Sequence, residues 1–110
     1  MKFLEQVAEK EDLELLSQTK DCIEFEYWSD LGEDVLISLS VDKMTKDQIT
    51  RAMYEYWQSF DAEEHATEWF NMKGEHGAPT SLRALLNDAD EQEKKLESIF
   101  WTMKKLSERK

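Results

Sequence analysis

The chain contains one cysteine, Cys22, so no internal disulfide can form. A reducing compartment, the cytoplasm, is therefore the expected setting. It has one proline and three glycines, and Gly32, Gly74 and Gly77 are too scattered to build a loop that cradles phosphate. No stretch approaches the roughly 20 consecutive apolar residues of a membrane span. Glu5 interrupts the N-terminus before a signal-type apolar run can develop. Cations are scarce as well, with 14 Lys and Arg against 25 Asp and Glu, for a net charge of −11. That balance disfavours direct contact with nucleic acid or an anionic membrane, both of them polyanions, and favours a protein partner with a basic surface.

What is present is enough for one core. The 110 residues are 40% hydrophobic and include four Trp, five Phe and three Tyr, a composition that supports one packed domain over residues 1–110. Phe3, Leu4, Val7 and Ala8 fall at helical spacing over residues 2–10. Residues 13–17 read as a short strand, with a continuation of the helix as the alternative. Ile23, Phe25 and Tyr27 alternate with Glu24, Glu26 and Trp28, and Val35, Ile37, Leu39 and Val41 alternate in the same way. This is the period-2 signature of half-buried strands. The polar residues 29–34 between them, with Gly32 able to take positive φ, predict an antiparallel turn.

From Met44 onward the pattern is helical. Thr45 and Gln48 fit a capping box, with Met44 and Ile49 as its hydrophobic staple. Ile49, Ala52, Met53, Tyr56, Trp57 and Phe60 follow at helical spacing. Asp61 reads as the cap of a next helix with Glu63 and Glu64 in its first turn, ending near Gly74. A loop follows over residues 75–79. The last helix starts at Thr80 or Ser81 and either runs unbroken to 108 or breaks near Asp88. The expected fold is α+β: a small antiparallel hairpin or three-stranded meander in residues 1–42, with one helix, packed on a helical part over 44–110 that ends in a long helix.

The charge is unevenly placed. Residues 1–35 carry net −8, 36–60 net zero, 61–93 net −7 and 94–110 net +4. Helix-end complementarity and solvated surface account for much of this. A sharper reading is a surface that imitates nucleic acid, because carboxylates one helical turn apart, such as Glu64 and Glu68, lie ~5–6 Å apart at Cβ, on the order of the phosphate spacing. The candidate residues of that surface are Glu24, Glu26, Asp30, Glu33, Asp34, Asp61, Glu63, Glu64, Glu68, Asp88, Asp90 and Glu91. Trp28 and Trp101, set among charges, are candidate exposed interface aromatics. Trp57 and Trp69 read as core.

Chemistry-bearing motifs are sparse. His65 and Glu68 have a chelating i, i+3 spacing, but no second copy of the pair completes a site, and no metal or cofactor is expected. Cys22 lies between Asp21 and Glu24, whose charges oppose thiolate formation, and reads as a buried structural residue. No nucleophile, base and orienting group can be named together, so an enzyme is not expected.

Residues 29–34, the run Phe60-Asp61-Ala62-Glu63-Glu64-His65-Ala66 with Trp69, Gly77-Ala78-Pro79 and Leu85-Leu86-Asn87-Asp88-Ala89 carry a resemblance over about residues 29–89. Together they resemble a loose group of small uncharacterised proteins common in genomes, prophages and mobile elements of gut Firmicutes. The group has no activity to carry over residue by residue. The resemblance implies a genomic setting in which small acidic proteins often inhibit host defence, anti-CRISPR and anti-restriction proteins among them. The leading expectation is a non-enzymatic interaction protein of this kind, whose acidic surface occupies the basic groove of a nuclease or other nucleic-acid-binding protein. The alternative is a structural or regulatory protein that forms a homodimer through Leu96, Ile99, Phe100, Met103 and Leu106 of the last helix.

Overall fold

The computed structural model describes residues 2–75 and 81–108. The elements run α1 (Lys2–Lys10), β1 (Glu14–Gln18), β2 (Cys22–Trp28), β3 (Asp34–Ser40), α2 (Lys46–Ser59), α3 (Ala62–Glu75) and α4 (Leu82–Glu108). The fold is α+β, with the three strands forming an antiparallel meander in the order β1-β2-β3. The strand reading of residues 13–17 holds, and α4 is a single helix. Most of the loop read over residues 75–79, and Thr80 as a helix start, lie outside the described residues.

Alternation decides the sheet. Ile23 and Phe25 of β2, with Val35, Ile37 and Leu39 of β3, are buried on one face. Glu24, Glu26, Trp28, Leu36 and Ser38 take the other. The β2–β3 register pairs Ile23 with Leu39, Phe25 with Ile37 and Tyr27 with Val35, which stacks the apolar side chains across the ladder. β1 is short, exposed and interrupted by a register shift between Leu15 and Ser17, features that blunt an edge. The turn from β2 to β3 is closed by the Gly32 N–H to the Ser29 oxygen, 2.9 Å, and by the Ser29 N–H to the Glu33 oxygen, 2.9 Å. Gly32 sits at φ +86°, and an added Cβ would meet nothing within 4 Å, so its requirement is conformational and not spatial.

The helices start where the sequence places caps. The Thr45 hydroxyl accepts from the Gln48 N–H at 3.3 Å, while the Gln48 side chain reaches back to the Lys43 N–H at 2.9 Å and not to that of Thr45. Asp61 Oδ1 accepts from the Glu64 N–H at 3.1 Å, and the Ser81 hydroxyl from the Ala84 N–H at 3.1 Å. α3 continues one residue beyond Gly74.

Two cores share α4. The larger gathers Phe3, Leu4 and Val7 of α1, the inner face of β2 and β3, Ile49 and Met53 of α2, and Leu96, Ile99, Met103 and Leu106 of α4. The smaller gathers Ala66 of α3 with Leu85 and Ala89 of α4. The first half of α4 therefore pairs with α3 while the second half backs the sheet, and the molecule is elongated at 50 × 23 × 22 Å. This corrects the reading of the last helix as a self-association stripe: Leu96, Ile99, Met103 and Leu106 are buried inside the chain's own core. Phe100 is half-buried against Trp57, ring centroids 5.8 Å apart.

This division has a measurable consequence. Ile99→Ala, in the larger core, lowers global stability by about 2–5 kcal/mol. Leu85→Ala chiefly speeds amide exchange in α3 and the first half of α4 while the sheet keeps its protection. Hydrogen exchange of the two variants checks the pair; equal loss of protection in sheet and α3 for Leu85→Ala would show one cooperative core.

Candidate functional site

A polar seam lies where the β2–β3 turn, α3 and α4 meet. His65 of α3 places Nε2 2.9 Å from both carboxylate oxygens of Glu33. Gln92 of α4, nearly fully buried, donates to Asp88 Oδ2 at 3.1 Å and approaches Glu33 Oε1 at 3.5 Å. Asp88, also buried, accepts the Leu31 N–H at 3.3 Å on its other oxygen. The seam closes on a small cavity of about 160 Å³ that Tyr27, Glu33, Tyr56, His65 and Gln92 line. Loss of hydration first, then the neighbouring charges of Asp88 and Glu33, raise the Tyr27 hydroxyl's pKa above its ordinary value. Its oxygen is buried with no hydrogen-bond partner among the described residues. Burial, then Glu33, raise Tyr56 in the same direction. Both phenols are thus held protonated and neutral.

Outside the seam the surface opens into an acidic cleft of about 580 Å³ between the β1–β2 end of the sheet and α4. Asp12 comes from the turn before β1, Glu14 from the start of β1, Glu26 from β2, Asp30 from the β2–β3 turn, and Asp88 and Glu91 from α4. Lys95 is the only cation among the described lining residues, and it is partly committed, lying 5.7 Å from the Tyr27 ring centroid and bonded to the Glu11 carbonyl. Glu11 is itself buried and accepts from the Ser98 hydroxyl at 2.5 Å, which anchors the cleft's α1–β1 corner to α4. Trp28, 64% exposed, stands at the rim.

Carboxylates are crowded here by register. Glu14 lies directly opposite Glu26, and Asp34 pairs with Trp28 two residues along. A side-chain hydrogen bond with Asp34, then partial desolvation, then repulsion from Asp34 and Glu14, raise the Glu26 carboxyl above its ordinary value. Such a row is destabilising by itself, since like charges directly across a ladder repel.

The structure distributes the predicted acidic residues unequally. Glu26, Asp30 and Glu91 line the cleft, joined there by Asp12 and Glu14, which sequence reasoning had not selected. Glu24 and Asp34 lie on the outer sheet face beside it. Asp88 lines the cleft but is 5% exposed and Glu33 is bonded to His65, so these two are structural acceptors of the seam and not free surface charge. Asp61 caps α3, and Glu63, Glu64 and Glu68 are exposed along it; Asp90 is exposed on α4. His65 faces Glu33 across to the turn, and not Glu68. Cys22 is half-buried, less enclosed than a core thiol. Trp28 and Trp101 are both exposed, Trp101 at 48%, while Trp57 and Trp69 are partly buried against the two cores. No helix among the described residues is long and apolar enough to cross a membrane.

The crowding at Glu26 gives a pH signature. A carboxyl whose pKa is raised on folding opposes folding once it is ionised, so the penalty is full at pH 7 and vanishes below the ordinary carboxylate pKa. Glu26→Gln therefore raises the melting temperature at pH 7, and its advantage over wild type disappears as the pH falls to about 3.5. Thermal unfolding of both proteins across pH checks this; a lowered midpoint at pH 7 contradicts it.

Comparison of the chain with protein-family models, with curated proteins and with solved structures returned no match.

Proposed function

We propose that the protein is a non-enzymatic interaction protein whose acidic cleft binds a basic surface of a nucleic-acid-binding protein, in the manner of an inhibitor that competes with nucleic acid. The observation that carries this reading is convergence. Asp12, Glu14, Glu26 and Asp30 of the N-terminal part meet Glu91 of α4, about half the chain away, on one concave surface, with the buried Asp88 beneath them and an exposed tryptophan at its edge.

Concavity and an aromatic rim distinguish this surface from ordinary solvated charge. Opposing fields steer encounter and make association fast and salt-sensitive. A large aromatic beside the charges supplies the apolar anchor that charge pairs at a wet surface do not. The −11 net charge keeps the free protein away from nucleic acid itself, which suits a competitor of nucleic acid better than a ligand of it. The resemblance of residues 29–89 to small acidic proteins of Firmicutes phages and mobile elements makes a host defence nuclease the kind of partner to test first.

The test is capture from a host lysate followed by competition. The retained protein binds duplex DNA or RNA, its binding to the acidic protein weakens at least tenfold between about 50 and 200 mM salt, and the two ligands exclude each other. The triple variant Glu26→Lys, Asp30→Lys, Glu91→Lys abolishes capture, and Trp28→Ala weakens it by about 1–2 kcal/mol. Capture that is indifferent to salt, or a captured protein that binds nucleic acid and this chain at once, sinks the reading.

A further inference from the structure

The two edges of the sheet are not alike. β1 is five residues long, bulged and shielded by its irregularity. β3 has seven residues, no bulge, no proline and no lysine, and these are the devices by which edge strands are ordinarily protected. Four hydrogen bonds show which way its backbone groups point. The Val41 N–H donates to the Asp21 oxygen at 2.9 Å, so Val41 faces β2. Cys22 turns both backbone groups to the β1 side, its N–H to the Thr19 hydroxyl at 3.1 Å and its oxygen to the Thr19 N–H at 2.9 Å, so its partner Ser40 is not bonded to it. The Leu36 oxygen accepts from the Tyr56 hydroxyl at 3.2 Å, so it points away from β2. Alternation along an antiparallel strand then requires that the N–H and C=O groups of Ser38 and Ser40 point outward too. Both residues are exposed.

A groove runs along this edge. Its floor and far wall come from α2: Ala52 and Glu55 flank Ser38 and Ser40, and Gln48 and Arg51 continue the wall beside Asp21 and Asp42. The two stretches measure about 600 and 370 Å³ and share Ser40, Ala52 and Glu55, so they form one channel. A strand between a sheet edge and a helix satisfies its backbone on the edge and aims every second side chain at the helix. Here those side chains meet the small Ala52 and the carboxylates of Glu55 and Asp42, with Arg51 the one opposing cation among the described lining residues.

We infer that the β3–α2 groove binds an extended segment of a partner protein by adding a fourth strand to the sheet, with basic side chains at alternate positions. Charge decides the occupant. A second copy would bring Glu55 and Asp42 against their own counterparts between two chains of net −11, whereas a Lys- or Arg-bearing strand meets opposite charge. This site lies at the β3 edge, across the sheet from the acidic cleft, and stands whether or not the cleft reading does.

The probe is a capped heptapeptide alternating lysine with valine and threonine, with a control of the same composition plus two central prolines, which cannot pair as a strand. In the free protein, the Ser38 and Ser40 amides exchange rapidly while those of Ile37 and Leu39 are protected. Peptide addition slows Ser38 and Ser40 at least tenfold and shifts resonances along β3 and α2. Ser38→Pro removes one outward donor without touching the β2 ladder, a change an edge strand tolerates; it weakens the peptide at least tenfold with the melting temperature unchanged. Glu55→Lys weakens it as well, while Glu26→Lys in the cleft does not.

Protection of Ser38 and Ser40 in the free monomer overturns the inference. So does equal binding of the proline control, peptide shifts confined to the cleft, or a dimer in light scattering that Ser38→Pro dissolves, which would make a second copy the occupant. Should Ser38→Pro unfold, the exchange rates of the wild-type amides decide the question on their own.

Discussion

Everything in this molecule is arranged along one unbroken helix. α4 has 27 residues, about 40 Å of length, more than a sheet of five- to seven-residue strands can cover. A helix this long buries its apolar stripe only if two partners share it. The sheet with α1 and α2 takes the half from Leu96 to Leu106, and α3 takes the half around Leu85 and Ala89. The small side chains Ala66 and Ala89 let α3 and α4 lie close where no sheet fills the space.

The joint between those halves is polar, and its position matters. Asp88 and Gln92 interrupt the apolar stripe one turn apart and are nevertheless buried. Burial without partners would cost each group its hydration; the turn backbone at Leu31 and the Glu33–His65 pair supply those partners. The same contacts seat the β2–β3 turn against α4 and so set the shape of the acidic cleft. A surface that gathers charge is held in place by acids that have given up their exposure.

The two proposed surfaces use different physics. The cleft offers concentrated like charge whose mutual repulsion a cationic partner relieves, together with Trp28 as an apolar anchor. The β3 edge offers unpaired backbone groups, whose demand for partners is indifferent to sequence, with charge from α2 choosing among strands. They lie across the sheet from each other, so one partner could engage either without blocking the other.

Local rules were enough to derive the elements. Period-2 alternation in residues 22–28 and 34–40, helical spacing after Met44 and the caps at Thr45, Asp61 and Ser81 are properties of neighbouring residues, and the structure repeats them with shifts of one or two positions. Charge asymmetry and the exposure of Trp28 and Trp101 were also present in the sequence. What tertiary structure decided is everything that depends on partners distant in the chain. Asp88 looks like any helical surface acid until Leu31, 57 residues away, donates to it, and Glu33 until His65, 32 residues away, reaches it. The stripe from Leu96 to Leu106 has the same periodicity whether it faces a second chain or its own sheet, because hydrophobic spacing specifies that a face is covered and not by what. Strand order, and with it the free edge of β3, follows from pairing across the whole sheet, which no local pattern encodes.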